Sequence, residues 1–278
     1  MASEHERAIP ETPASVEAPF DFVDHGSKAV DDYRPVHGIY GEFADALRSI
    51  LRVALREEQI MVQTIDARGK SIESFQVKAE KPHEDDANRP KYAHPVAGIT
   101  DLAGVRVIVF LENDVTEVTN LVERVFDVRE KLFVDASSGY RGLHLIVALR
   151  DNRRELLEYK RFAGRFAEIQ IRTVLQHAWA EIEHGIGYKP TVPIPEVIRR
   201  QLRDLSGTLG TADHGLQEVA SRVEREQIAG ELAAQVPEAP TPVGPVEGAQ
   251  SVAGDERGVG DPATGDPVVR GGEPPEIG

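Results

Sequence analysis

Glu168-Ile169-Gln170-Ile171-Arg172-Thr173 alternates polar and apolar residues. Successive side chains of a strand leave opposite faces, so Glu168, Gln170 and Arg172 share one face while Ala167, Ile169 and Ile171 share the other. The apolar face suits a core. The polar face lines up an acid, an amide and a guanidinium, groups suited to holding a metal and a phosphorylated ligand. A solvent-exposed strand of a mixed sheet has the same alternation. The stretch therefore predicts a half-buried strand and leaves its purpose to the rest of the chain.

Outward from this strand, helical and extended patterns alternate. Ile39, Phe43, Leu47, Ile50 and Ala54 recur at helical spacing and predict an amphipathic helix to about Glu58. Ile60 to Ile65 predicts a short strand, and Ser71 can cap a helix through Phe75 to about Glu80. The segment from Lys81 to Ala97 carries three prolines and many charges and reads as a surface loop. Val105 to Phe110 is β-branched and mostly apolar, as a buried central strand requires. Asn113 or Asp114 is expected to cap a helix through Val118, Leu121, Val122 and Val125. Strands are expected at about Leu132–Asp135, Leu143–Leu149 and Phe166–Thr173. A helix from Val174 to His184 and a longer one from about Pro195 to Glu231 follow. The sum is an α/β (α+β) domain with a mixed sheet of about five strands flanked by helices.

Composition bounds the rest. At 278 residues and 40% hydrophobic, the chain can bury a sizeable core. It has no cysteine, which excludes a disulfide framework, a cysteine zinc site and a thiol nucleophile. The opening MASEHERAIPETPASVEAPF lacks a basic start followed by an apolar core, and no run of about 18 apolar residues occurs. The chain reads as soluble and cytoplasmic, with no membrane partner. A formal net charge of −15 argues against general nucleic-acid affinity while leaving room for a local basic pocket. From Val236 to Gly278, 17 of 43 residues are Pro or Gly and no apolar periodicity is present, so this acidic tail is expected to stay disordered. Residues 1–24 resemble it, leaving 25–235 as the folded domain.

Four segments carry the chemistry. Arg68-Gly69-Lys70-Ser71, with Lys78 further on, places cations between a strand end and the next helix. Cations there make sense when a polyphosphate binds, because backbone N–H groups and side-chain charge then act together; a solvated basic turn is the alternative. Asp101 precedes the strand that contains Arg106. With Glu168 on another strand it could supply the carboxylates that Mg²⁺ takes beside phosphates and waters; a turn cap and a salt bridge are the structural alternative. Ser137-Ser-Gly-Tyr140-Arg-Gly-Leu-His144 is a glycine-containing loop whose tyrosine could present its ring to a base, or simply sit at a rim. His177, Glu181 and His184 share one helical face, but their spacing matches neither common zinc-protease pattern. A helix lining a nucleotide pocket fits them better.

Together these blocks resemble the synthetase domain of the RelA/SpoT family, the (p)ppGpp synthetases, over about Val30 to Lys189. The resemblance is carried by Arg68-Gly-Lys70-Ser71 with Lys78, Asp101-Leu-Ala-Gly-Val-Arg106, Gly139-Tyr140-Arg-Gly-Leu-His144, and Glu168-Ile-Gln-Ile-Arg-Thr with Trp179-Ala-Glu-Ile-Glu-His184. It implies a nucleotidyltransferase-like fold and transfer of the β,γ-pyrophosphate of ATP to the 3′-hydroxyl of GDP or GTP, with release of AMP. It assigns Arg68, Lys70, Ser71, Lys78 and Arg106 to ATP, the two arginines sandwiching adenine and the lysines neutralising phosphates. Asp101 and Glu168 would hold Mg²⁺, and Glu168 would also activate the acceptor hydroxyl. Tyr140, His144, Gln170, Arg172 and His177 would surround the acceptor. The chain departs from the family where a lysine-rich stretch often precedes Gly-Tyr; here Asp135-Ala-Ser-Ser138 stands instead. That departure raises an alternative, a toxin of the same fold that pyrophosphorylates the 3′ end of tRNA. A non-catalytic nucleotide-binding module is a second. The sequence leaves the oligomeric state open, with a homo-oligomer among the expectations.

Overall fold

The computed structural model describes residues 20–135, 141–187 and 195–234. Within them the expected five-stranded mixed sheet is present: β1 (Thr64–Gly69), β2 (Ala103–Val109), β3 (Asp127–Asp135), β4 (Arg141–Ala148) and β5 (Ala167–Thr173). Their order across the sheet is β1-β2-β5-β4-β3. The β2–β5 pair is parallel and the other three pairs are antiparallel. The helices are α1 (Phe22–Tyr33), α2 (His37–Glu57), α3 (Ile72–Ala79), α4 (Pro95–Gly98), α5 (Glu112–Val125), α6 (Asp151–Arg154), α7 (Val174–Gly187) and α8 (Glu196–Ala234), with a 3₁₀ turn at Lys160–Phe162. The described residues up to Glu231 make one compact unit; nearly all of the chain from Leu232 onward, including the expected tail, lies outside the described residues. Among the described residues, no helix is long and apolar enough to cross a membrane.

The period-two pattern of the strands creates the core. In register, Val105 lies beside Ile169 and Val107 beside Ile171, while Leu145 flanks Ile169 from the other side. These residues form one apolar face, and α2 and α5 close over it with Phe43, Leu47, Leu51, Val118, Leu121 and Val122, all buried. A second cluster joins α1 to α3. The Tyr33 ring stacks on Phe75 with centroids 4.2 Å apart, and the Tyr33 hydroxyl donates to the Lys70 carbonyl at 2.8 Å. This cluster seats the chain where β1 hands over to α3.

Several local expectations need correction. β1 begins at Thr64, not Ile60, so Arg68 lies within the strand; Ile60 and Val62 pack on the core from the connecting segment. Gly69, at the end of β1, comes close to Gly41 of α2: a Cβ at Gly69 would meet the Gly41 backbone nitrogen at 3.1 Å. Helix α5 starts at Glu112, and Asp114 does not cap it from outside. Its carboxylate instead reaches back from the first turn to accept from the Leu111 N–H at 3.0 Å. Helix α1 was not expected, and it begins at Phe22, inside the segment read as disordered. Ser71 caps α3 as anticipated, accepting from the Ser74 N–H at 3.2 Å.

Two substitutions on α2 test where the stability resides. Leu47→Ala, which empties a buried core position, should cost about 2–5 kcal/mol. Val53→Ala, at an exposed position of the same helix, should cost about 0.5 kcal/mol or less. Chemical denaturation of both variants measures the difference; similar losses would contradict the assigned core.

Candidate active site

The sheet face opposite α2 and α5 carries polar groups arranged by register. Arg68 of β1 pairs with Gly104 of β2, which pairs with Glu168 of β5. In the next row Asp66, Arg106, Gln170 and His144 lie side by side across four strands. A cavity of about 590 Å³ opens over this grid. Arg68, Asp101, Arg106, Glu168, Gln170 and Arg172 line it from the sheet side; Ser74 of α3 and Ala180, Glu181 and His184 of α7 complete the wall. Asp101 and Glu168, 67 positions apart in sequence, come to the same end of the sheet because the β2–β5 pair is parallel.

Two charged knots define the site. In the first, Asp101 Oδ2 receives Lys70 Nζ at 2.8 Å and Lys78 Nζ at 3.0 Å. The Lys70 N–H also donates to the Leu102 carbonyl at 2.9 Å, fixing both ends of this contact. Burial pushes the Asp101 carboxyl up, but the two ammonium groups outweigh it and hold the group below the usual carboxylate range. Lys78 sits in the last turn of α3, where the helix dipole favours a cation, rather than at the helix start. In the second knot, Glu168 contacts His144 Nδ1 at 3.1 Å and accepts from the Gln170 amide at 2.6 Å. Here too burial raises the carboxyl, and the imidazole and amide more than offset it, against a smaller upward push from Asp101.

The cationic side is under strain of its own. Arg106 pairs with Glu181 at 2.9 Å, and Arg172 lies 3.3 Å from His144 Nε2. Burial and the neighbouring Arg106 guanidinium both lower the proton affinity of Arg172. Burial and Arg106 lower that of His177 as well, so its ring is neutral at pH 7. Like-charged guanidinium groups held this close in a partly dry cavity are relieved when an anion enters. Gly104 contributes no side chain between Arg68 and Arg106, which keeps the floor between the two guanidinium stems open.

The residues also fit a divalent cation. Asp101 Oδ1 is buried and has no hydrogen-bond partner, and Glu168, another carboxylate of the cavity, is likewise an oxygen donor. Two hard oxygen ligands beside cations that bind phosphate are the donor set that Mg²⁺ takes.

Of the residues singled out in the sequence, the structure brings Arg68, Asp101, Arg106, Glu168, Gln170 and Arg172 to the cavity, with Lys70, Lys78 and His144 bound directly to its acids. Ser71 is at the α3 cap, and His177 stands on α7 with Nδ1 3.8 Å from Glu181. Tyr140 lies outside the described residues. Sequence reasoning passed over Asp66, whose strand parity with Arg68 was available, and Tyr33, whose role depends on a contact 37 positions away. It also passed over Asp213 of α8. That buried carboxylate accepts from the Thr173 hydroxyl at 2.6 Å, at a junction where Thr173 and Gln176 cap α7 reciprocally.

Both acids are more acidic folded than unfolded. Their contribution to stability is therefore complete above the ordinary carboxylate value, about pH 4, and is lost as pH falls through the lower folded values. Melting temperature followed from about pH 7 to about pH 3 should drop along that limb. The double variant Asp101→Asn, Glu168→Gln should have a flatter acid limb; an unchanged limb would contradict the assigned pairing.

The chain is similar in sequence and fold to several known proteins. Residues 67–192 match the model of the region found in RelA / SpoT proteins. GTP pyrophosphokinase YwaC of Bacillus subtilis is 28% identical over 185 residues, covering 63% of this chain and 84% of that protein. GTP pyrophosphokinase YjbM of the same organism is 29% identical over 144 residues, covering 49% and 64% respectively. The crystal structure of small alarmone synthetase 1 from Bacillus subtilis shares the fold, with a TM-score of 0.58 at 23% identity over 70% of this chain and 99% of that one. Residues 67–192 are thus similar to the RelA/SpoT region, the chain is similar in sequence to two proteins named GTP pyrophosphokinases, and its fold is that of a small alarmone synthetase.

Proposed function

We propose that this protein is a GTP pyrophosphokinase, a (p)ppGpp synthetase that moves the β,γ-pyrophosphate of ATP to the 3′-hydroxyl of GDP or GTP and releases AMP. One observation carries the reading: a single cavity gathers Asp101 and Glu168, with two lysines on Asp101, and three arginines. The homologous proteins named GTP pyrophosphokinases support it.

The reaction forms a bond from the acceptor O3′ to the β-phosphorus of ATP and breaks the bridge to the α-phosphate, whose oxygen leaves with AMP. The hydroxyl proton must go to a base. Such transfer asks for positioning and charge compensation more than covalent chemistry. In this assignment Lys70 and Lys78 exchange Asp101 for ATP phosphates, and Arg68 and Arg106 flank the adenine. Glu168, ionised at neutral pH, takes the proton. Gln170, Arg172, His144 and His177, with Tyr140, hold the acceptor. Asp101 and Glu168 would also hold Mg²⁺, which would neutralise charge on the phosphates during transfer. A cytoplasmic location, where ATP and guanine nucleotides are available, belongs to the same proposal.

The decisive test is the product. Incubation with labelled ATP and GDP, GTP or bulk tRNA should yield AMP and a 3′-pyrophosphorylated guanine nucleotide. Lys70→Ala and Lys78→Ala should each lower kcat/KM on the order of 10²–10³-fold. Label on tRNA alone would establish the alternative acceptor. Nucleotide binding without AMP from any acceptor would establish a non-catalytic module, and either result would overturn the proposal.

A further inference from the structure

Asp66, Arg68, Gly104 and Arg106 mark the corners of a rectangle on the cavity face of the sheet. Asp66 and Arg68 follow each other on that face of β1, and their cross-strand partners on β2 are Arg106 and Gly104. Sheet spacing sets the sides at roughly 5 Å across the strands and roughly 7 Å along them, so opposite corners stand roughly 8 Å apart. The two arginines occupy one pair of opposite corners. Gly104 and Asp66 occupy the other pair, and all four residues line the cavity. Guanidinium groups at that separation leave room for one flat ring, which needs about 3.5 Å on each face. A ring held between them extends along the other diagonal, from Gly104 to Asp66. At the Gly104 corner there is no side chain to obstruct it. At the Asp66 corner its edge meets a carboxylate.

We propose that Asp66 is a specificity-determining residue, which reads the base of the donor nucleotide by accepting a hydrogen bond from its 6-amino group. The inference rests on the reading above, in which Arg68 and Arg106 flank the adenine of ATP. The lysine cradle fixes which end of the nucleotide lies where. Lys70 follows Arg68 at the exit of β1, where its N–H binds the Leu102 carbonyl and its ammonium binds Asp101, just ahead of β2. The phosphates then lie beyond the row formed by Arg68 and Gly104. The ribose passes over Gly104, and the base edge farthest from the sugar faces Asp66. Charge favours the same polarity, with the acid at the neutral end of the ligand and the lysines at its anionic end. Adenine carries its N–H donors on the 6-amino nitrogen, so that is the group a carboxylate can bind. Asp66 is available for this. Its cross-strand neighbour Arg106 pairs with Glu181 instead, and among the described residues Asp66 makes no ion pair. Its contact is with the Thr64 hydroxyl at 3.4 Å, long for a hydroxyl donor.

Equilibrium binding tests this without an acceptor, and so apart from the identity of the product. Titration calorimetry of the full chain at constant Mg²⁺ compares ATP with purine riboside triphosphate, the same nucleotide lacking the 6-amino group. The parent protein should bind ATP on the order of 10–100-fold more tightly. Asp66→Ala, at an exposed position that leaves the core untouched, should bind the two nucleotides alike. Lys70→Ala should weaken both and keep the preference. No preference in the parent, or one that survives Asp66→Ala while Lys70→Ala weakens both nucleotides, would overturn the role of Asp66 and leave the donor site standing. ATP binding that Lys70→Ala does not change would overturn the donor site, and the role of Asp66 with it.

Discussion

A carboxylate held by two lysines, largely out of water, is the contact on which this site turns. Asp101 would be costly to bury alone, and so would Lys70; together with Lys78 they satisfy one another. Their meeting is not local. It requires Tyr33 and Phe75 to seat the turn after β1, the Lys70 N–H to dock on Leu102, and β2 to run beside β5 so that Glu168 stands near. Removing any of these supports would leave a buried charge without its counter-charge.

The same sheet serves two purposes because strand side chains alternate. Ile169 and Ile171 bind the domain together, while Glu168, Gln170 and Arg172, one residue removed, line the cavity. A one-residue slip of β5 would exchange the two sets, so core packing itself enforces the alignment of the functional groups. The cost is borne on the polar face, where burial and the Arg106 guanidinium both work against the charge of Arg172. That arrangement suits a protein whose ligands are anions.

Much of this was readable in the chain, for identifiable reasons. The strand at Glu168–Thr173 and the helix through Leu47 follow from their periodicities, and Ser71 announces its cap. The start of β1 was misplaced because Ile60 and Val62 are apolar through packing on the core rather than through strand pairing. Helix α1 escaped because its apolar positions are sparse and its order comes from α3 and α4. The Lys70–Asp101 pair spans 31 residues and Arg106–Glu181 spans 75, so only the tertiary structure joins them.

In the proposed mechanism Lys70 and Lys78 would pass from Asp101 to ATP phosphates, with Asp101 then free to hold a divalent cation. Calorimetric binding of a non-hydrolysable ATP analogue, with and without Mg²⁺, to the parent protein and to Asp101→Asn tests this directly. Binding should depend strongly on Mg²⁺ in the parent and weakly in the variant, whose lysines are already released. Binding by the parent that ignores Mg²⁺, or a variant that keeps the full Mg²⁺ effect, would contradict it.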